Sequence, residues 1–466
     1  MLSTLYFISC LAAAPVTDHP EVSAALSVFD AWAAATVAER EQPGLSIGVV
    51  YDQHLIWVKG YGHASLAARR TATPSTAYRI ASISKLFTAT AIMQLRDTGK
   101  LRLDDPVAQH LDWFRPQQTQ AGSPVITIRH LLTHTSGMPR EAAPGVWNDL
   151  NFPSRDDMMR RVPEMKTILA AETEFKYSNL AYAVAGEVVQ KVSGEPYAQY
   201  VETHILKPLG MKQTAINPRP EMPGLATGYG RRVPGQPRDT EPFTDTAGVT
   251  PAANLASTVE DLARFAALQM GSLPGAAQIL TPSTIREMHR VQWLRPDWKS
   301  GQGLGFALRR AGELTHVGHS GSLGGYRSNL DIVPSAKLAV IALTNSNDGQ
   351  PERYVEKAFA ILAPVIARAT EVPKPGTKPN ATWEMYTGTY VWKHSESRVM
   401  ILNGELTVVV PDAENPWESR IRLEPLSPHT FLMKGGASTG EIARFEVDAA
   451  GRVTRMWAGD YYRLRK

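Results

Sequence analysis

One cysteine, Cys10, stands in 466 residues. No intrachain disulfide can therefore form, and a packed core has to hold the fold. Charge of one sign is also scarce. Lys and Arg number 49 against 45 Asp and Glu, a net charge of +4, and no Lys/Arg block occurs, so a nucleic-acid partner is not expected. Arg463, Arg465 and Lys466 read as a solvated basic tail. Residues 1–16 are apolar but too short to span a bilayer, and no transmembrane segment is expected. They end in Ala12-Ala13-Ala14, as a secretory signal does, although no Lys or Arg precedes Arg40. The expectation is a possible signal segment at 1–19 and an exported protein, periplasmic or secreted, with a cytoplasmic location as the alternative. Phe7-Ile8-Ser9-Cys10 is only a loose lipoprotein-like site.

Apolar residues make up 43% of the chain, ample for a large core. The length suggests about three domain-sized units, or one large α/β unit plus a small one. Residues 20–40 read as an amphipathic helix. Residues 45–51 and 55–59 alternate around Asp52-Gln53-His54, a hairpin pattern. Helical patterns dominate from Ser82 to about Gly271, with Gly99 and Gly194 placed to end two helices. Strand-like stretches return at 314–317, 327–333 and 338–344, and a helix follows over 351–369. Strands near both ends and a helical middle predict one antiparallel sheet built from both ends and a helical second lobe. Residues 372–380 are Pro- and Lys-rich, a semi-rigid linker. Beyond them Asn403-Gly404 lies between apolar runs, a strong hairpin signal. Strand patterns at 423–433, 443–447 and 453–457 suggest a small β domain over 381–466, after a first domain over 20–371.

Within Tyr78-Arg79-Ile80-Ala81-Ser82-Ile83-Ser84-Lys85-Leu86-Phe87-Thr88, a serine stands three residues before a lysine as an apolar helical run begins. The i, i+3 spacing puts hydroxyl and amine on one face. A serine hydroxyl becomes a nucleophile when a base takes its proton. A lysine becomes such a base when burial or a nearby positive end disfavours its charged form. Ser82–Lys85 is the only Ser-x-x-Lys pair here, although about one or two are expected by chance. A capping serine beside a solvent-facing lysine would give the same pattern.

Two further segments favour the catalytic reading. Phe175-Lys176-Tyr177-Ser178-Asn179-Leu180 opens a second helical run, and His319-Ser320-Gly321 follows a strand-like stretch. The ordered set Ser-x-x-Lys, Tyr-x-Asn and basic-polar-Gly resembles the serine β-lactamase and penicillin-binding-protein superfamily, most closely its class C-like branch. That branch also holds esterases, D-aminopeptidases and DD-carboxypeptidases. Ile128-Arg129-His130-Leu131-Leu132-Thr133-His134-Thr135-Ser136-Gly137, Val192-Ser193-Gly194-Glu195-Pro196-Tyr197 and Pro208-Leu209-Gly210-Met211 resemble its connecting segments. Gly318 to Tyr326 looks like its third-motif turn. The likeness covers about residues 43–369. Tyr386-Thr387-Gly388-Thr389-Tyr390 looks like the start of lipocalin-like C-terminal domains found on some members.

The resemblance implies an α/β (α+β) two-lobe fold, with an antiparallel sheet, an all-helical lobe and a small C-terminal β barrel. It implies Ser82 as nucleophile and Lys85 with Tyr177 as proton shuttle, the balance between the two left open. Asn179 would donate to a substrate carbonyl and accept from Lys85. His319, Ser320 and Gly321 would bind substrate, and the backbone N–H groups of Ser82 and Ser322 would form the oxyanion hole. The implied reaction is metal-free and cofactor-free hydrolysis of a small ester, amide or β-lactam through an acyl-serine. The third motif departs from the usual Lys-Thr-Gly. A histidine, only partly charged near neutral pH, should attract a carboxylate more weakly, which favours an esterase or amidase over a β-lactamase or D-amino-acid-specific peptidase. A catalytically silent scaffold or sensor is the alternative from another class.

Other patterns are weaker. Gly436-Ala437-Ser438-Thr439-Gly440 matches a nucleophile elbow, but no helical pattern and no histidine follow it. His130 and His134 lack the glutamate of a zinc protease, and for His316 and His319 no carboxylate or cysteine partner is expected. Bonded histidines, without a metal, are the better account. Residues 140–163 and 218–250 are expected to frame the pocket, with Trp147, Phe152, Tyr229 and Phe243 forming an apolar entrance.

Overall fold

The computed structural model describes residues 16–271, 279–370, 381–393, 395–402, 404–411, 413 and 419–466. Contacts divide the chain into two compact units, 1–370 and 371–466. Residues 1–15, the proposed linker and Asn403 of the expected hairpin lie outside the described residues.

Two strands made almost wholly of aliphatic residues set the centre of the first unit. Gly44–Tyr51 and Leu338–Thr344 are buried along nearly their whole length, as strands covered on both faces must be. They pair antiparallel, Ile47 opposite Ala342. The full sheet runs Arg70–Thr71, His54–Ser65, Gly44–Tyr51, Leu338–Thr344, Tyr326–Val333, Leu314–Leu323, Ala307–Ala311, Ser300–Gln302, Trp293–Leu294. Both ends of the unit therefore contribute to one antiparallel sheet. Side chains alternate across it. Leu45, Ile47, Val49, Val340 and Ala342 face the helices Pro20–Glu39 and Pro351–Thr370, while Ile341, Leu343 and Leu330 join the larger core of the helical lobe.

The helix Pro20–Glu39 is long and apolar enough to cross a membrane by length and composition. Here Val22, Leu26, Phe29 and Ala33 are buried in the core against the sheet. The first hairpin turns on two residues rather than three, since Tyr51 pairs with His54. Asp52 and Gln53 both take positive φ, which matches the right-handed strand twist.

Two features depart from expectation. The strands Trp293–Leu294, Ser300–Gln302 and Ala307–Ala311 extend the sheet where no strand was foreseen. Sequences such as Ser-Gly-Gln and Ala-Leu-Arg-Arg-Ala are short and polar, as edge strands often are, and carry no alternating apolar signal. The stretch Gly318 to Tyr326 turns only at Gly324-Gly325, beyond His319-Ser320-Gly321. Leu314–Leu323 is one ten-residue strand, with His319 paired to Leu330 and Gly321 to Ser328. Its Gly, Ser and His residues have low β propensity; the ladder to Tyr326–Val333 imposes the conformation.

The second unit is a closed antiparallel barrel of eight strands. Gly388–Trp392 closes it by pairing with Tyr461–Arg465. Tyr386, Tyr390, Phe431, Met433, Phe445 and Met456 fill its interior, leaving it packed by side chains as small barrels commonly are.

Candidate active site

Ser82 sits in the short 3-10 turn Ala81–Ile83, which runs directly into the helix Ser84–Asp97. Ala81 takes φ +47°, a left-handed conformation that costs energy for any residue with a Cβ. Two strands hold it there. Ile80 N donates to Leu255 O at 3.0 Å, and Ser328 Oγ donates to Ile80 O at 2.9 Å. The third-motif strand passes so close that a Cβ on Gly321 would run into Ser328 Oγ and the Ile80 carbonyl. The glycine is therefore a steric requirement of this crossing.

One turn on, Lys85 is fully buried. Its Nζ lies 3.1 Å from Ser82 Oγ, 2.7 Å from Asn179 Oδ1 and 2.9 Å from Ala252 O. Burial holds the amine well below the ordinary lysine value; Glu141 opposes this and Arg140 adds to it. Tyr177 arrives from the segment before the helix Asn179–Ser193, and its Oη lies 2.9 Å from Ser82 Oγ. Burial pushes this phenol up to about 12, so it keeps its proton at neutral pH. Ser178 caps the helix by accepting from Ala181 N, which places Tyr177 just outside it and Asn179 as its first residue.

A cleft of about 610 Å³ is lined by Ser82, Tyr177, Asn179, His319, Gly321 and Ser322, among others. Every residue foreseen for the site except Lys85 reaches its wall, and Lys85 lies beneath it.

A model of the Beta-lactamase family matches residues 29–364. The chain belongs to the β-lactamase family. It is a serine hydrolase. The Beta-lactamase-like protein 2 of Dictyostelium discoideum is 26% identical over 430 residues, 86% of this chain and 77% of that one. The protein flp of Staphylococcus aureus (strain MW2) is 29% identical over 322 residues, and the match covers 67% of this chain and 62% of flp. Among solved structures, the octameric penicillin-binding protein homologue from Pyrococcus abyssi superposes with a TM-score of 0.63 at 26% identity, covering 95% of this chain and 100% of that one. EstCE1, a hydrolase with promiscuous acyltransferase activity, shares the fold at TM-score 0.63 and 21% identity, over 73% of this chain and 99% of its own.

Within this β-lactamase-family chain, several expectations need correction. The Asn179 amide nitrogen, expected to serve substrate, also serves Glu141: it donates to Glu141 Oε1 at 2.7 Å, which leaves one N–H uncommitted. His319 is not half-charged. Its ring is partly accessible yet deep in the cleft, and burial, with the Lys85 amine close by, pushes it down to about 4. Its Nδ1 lies 2.6 Å from Ser320 O, so Nδ1 carries the proton and Nε2 is the free acceptor.

Two histidines foreseen without acidic partners have them. His316 Nδ1 lies 2.9 Å from Asp331 Oδ2, and His130 Nε2 lies 2.9 Å from Glu172 Oε1. These acids are distant in sequence, so spacing could not disclose them. Among the described residues no group of three or more His, Cys, Asp and Glu could hold a metal. Of the four aromatics expected at the entrance, only Trp147 lines the cleft. Phe152 packs edge-on against Trp147, Tyr229 is buried and accepts from Leu66 N at 2.6 Å, and Phe243 lies under the Arg79 guanidinium.

Three further residues were not singled out for the site, although Arg140 and Glu141 open the stretch 140–163 expected to frame the pocket. His134, set aside as a metal decoy, stacks on Tyr177 at 4.3 Å between ring centroids. Its Nδ1 accepts from Ser178 N at 3.1 Å. The Arg140 guanidinium lies 5.0 Å from the Tyr177 ring centre. Glu141 follows it. Loop residues carry no periodic signal, so the expectation that 140–163 frames the pocket did not single out Arg140 or Glu141 within it.

Proposed function

We propose that Ser82, Lys85 and Tyr177 are the catalytic residues of a hydrolase that cleaves carboxylic esters, or amides, through an acyl-Ser82 intermediate. One observation carries the reading: the three directions around Lys85 Nζ. Asn179 Oδ1 and Ala252 O can only accept. A neutral amine has two N–H bonds and one lone pair, so both N–H bonds are committed and the lone pair faces Ser82 Oγ. Since Tyr177 holds its proton to about 12, Lys85 is the base of the free enzyme.

The steps follow. Ser82 Oγ attacks the carbonyl carbon as its proton passes to Lys85 Nζ. The oxyanion is met by the backbone N–H groups of Ser82 and Ser322. The carbon–leaving-group bond breaks as Tyr177 Oη gives its proton to the departing oxygen or nitrogen, and the proton held on Lys85 Nζ then passes to Tyr177, Ser82 Oγ staying in the acyl bond. Water then attacks the acyl carbon by the same relay, releasing the acid and regenerating Ser82.

A neutral His319 supports an ester or amide substrate over one that must be held by a carboxylate. His319, Ser320 and Gly321 form the substrate-facing strand edge, and Asn179 acts through Lys85. The second reading, a β-lactamase or D-amino-acid-specific peptidase, draws on Arg140 and Arg327, two guanidinium groups lining the same cleft. Export to the periplasm or medium is the location we favour, from the apolar segment at 1–16.

The test is a fluorophosphonate probe with the adduct mapped by mass spectrometry, beside rates on p-nitrophenyl butyrate and nitrocefin. The expected result is a single adduct on Ser82 and faster turnover of the ester. An adduct elsewhere in an active preparation overturns the assignment, and nitrocefin turned over faster supports the second reading. Absence of both adduct and turnover in folded protein means a silent scaffold.

A further inference from the structure

The relay above leaves Glu141 without a task. Its side chain is only 13% exposed. Oε1 accepts from Asn179 Nδ2 at 2.7 Å, with the exposed Arg140 Nε at 3.3 Å. Oε2 is buried and meets no hydrogen-bond donor. Keeping a carboxylate oxygen from water without a donor is costly, and what holds this one in place is the Asn179 contact made by its partner oxygen. The first backbone amides of the helix Asn179–Ser193 point to this loop, with Asn179 N and Leu180 N donating to Arg140 O at 2.8 and 3.2 Å; a helix N-terminus favours an anion. Beyond the Asn179 amide lies the Lys85 amine.

We propose that Glu141 is a positioning residue for Lys85, clamping the Asn179 amide in one orientation and placing a carboxylate behind the amine. The proposal rests on the reading of Lys85 as base. An amide is nearly symmetric in shape, and its two ends can exchange. Glu141 can only accept from Nδ2, so Oδ1 must face Lys85. Turned over, the amide would offer N–H to Lys85, and the amine's lone pair would swing from Ser82 to Asn179. The clamp thus decides where the lone pair points.

The carboxylate also acts through its charge. The groups facing Lys85 are Tyr177 and Tyr182, with ring centres 4.9 and 5.6 Å from Nζ, His134, His319, Arg140 and Glu141. Burial and Arg140 lower the amine, and Glu141 raises it. Without that charge a neutral Lys85 persists to lower pH, and it is also a weaker base.

Two variants of the full chain separate clamp from charge. Glu141→Gln keeps an oxygen for Asn179 Nδ2 and removes the charge; Glu141→Leu removes both. The readout is the rate of fluorophosphonate labelling at Ser82 from pH 4 to 9, with melting temperature as the control. Glu141→Gln should move the acidic limb down by about half a pH unit or more. Glu141→Leu should label about a hundredfold more slowly across the range, with folding intact. A limb unmoved in Glu141→Gln, including one below the accessible range in both proteins, overturns the proposal, as does near-normal labelling of Glu141→Leu. If Glu141→Leu does not fold, the Glu141→Gln limb decides alone. Wild-type protein that is never labelled at Ser82 sinks the reading of the nucleophile instead.

Discussion

Tyr177 Oη stands 2.9 Å from Ser82 Oγ across 95 residues of chain. The phenol is positioned by its neighbours and not by its own helix: His134 stacks on one side, and the Ser178 cap fixes the helix start. Removing only the oxygen tests the proton path without disturbing that stack. Tyr177→Phe should lower kcat on p-nitrophenyl butyrate by about 10²–10⁴ while the melting temperature holds. A variant with near-wild-type kcat would mean that the leaving group takes its proton from elsewhere.

Lys85 poses a sharper question, because a lysine beside a serine could act by charge or by basicity. Arginine keeps the charge and cannot give up its proton. Lys85→Arg should therefore lose about 10³ or more of kcat/KM, with no recovery on raising the pH to 9. Substantial activity in Lys85→Arg would show that charge suffices and that Tyr177 is the base.

How much of this was legible in the sequence depends on the range of the interaction. Ser82 and Lys85 are bound by one helical turn, so their spacing discloses them. Tyr177, Asn179 and His319 carry no local physical signal and were found only through resemblance to a family. Glu141 and His134 act through contacts made by the folded loop, and nothing in their neighbours distinguishes them. The strand through His319 was hidden for a related reason: pairing with Tyr326–Val333 imposes a conformation that its Gly and Ser residues do not prefer. The barrel was easier, since its alternating runs report the inward face directly.

Buried histidines make the stability depend on pH. Burial pushes His289 down to about 3 and His319 to about 4, and holds His134 well below the ordinary value. Unfolded, each binds a proton near pH 6.5. Between those values the unfolded chain holds more protons than the fold, so stability rises with pH there. The contribution is complete above about pH 6.5 and lost as pH falls toward 4, at up to about 1.4 kcal/mol per pH unit for each group. The melting temperature should fall steadily from pH 6.5 to 4.5, and His289→Gln should flatten the decline while leaving ester hydrolysis at pH 7 intact. A melting temperature constant over that range would mean these rings charge freely within the fold.

Gly321 links stability to the reaction centre. The strand it belongs to crosses over the Ile80–Ala81 peptide, and an added Cβ would meet the Ile80 carbonyl, Ser328 Oγ and, at 3.1 Å, the Ala81 Cβ. Two of these belong to the segment that holds Ala81 at positive φ and so aims Ser82. A methyl group there has to displace either the strand or that peptide, and overpacking of this kind costs about 1–3 kcal/mol. Gly321→Ala should therefore lower the melting temperature and, because Ser82 moves with the peptide, reduce ester hydrolysis by more than the loss of folded protein accounts for. Thr315→Ala, on the same strand but outside the cleft lining, serves as the control for a change on that strand without the clash. Wild-type melting and turnover in Gly321→Ala would show that the strand yields without disturbing Ser82, and that the close crossing does not position the nucleophile.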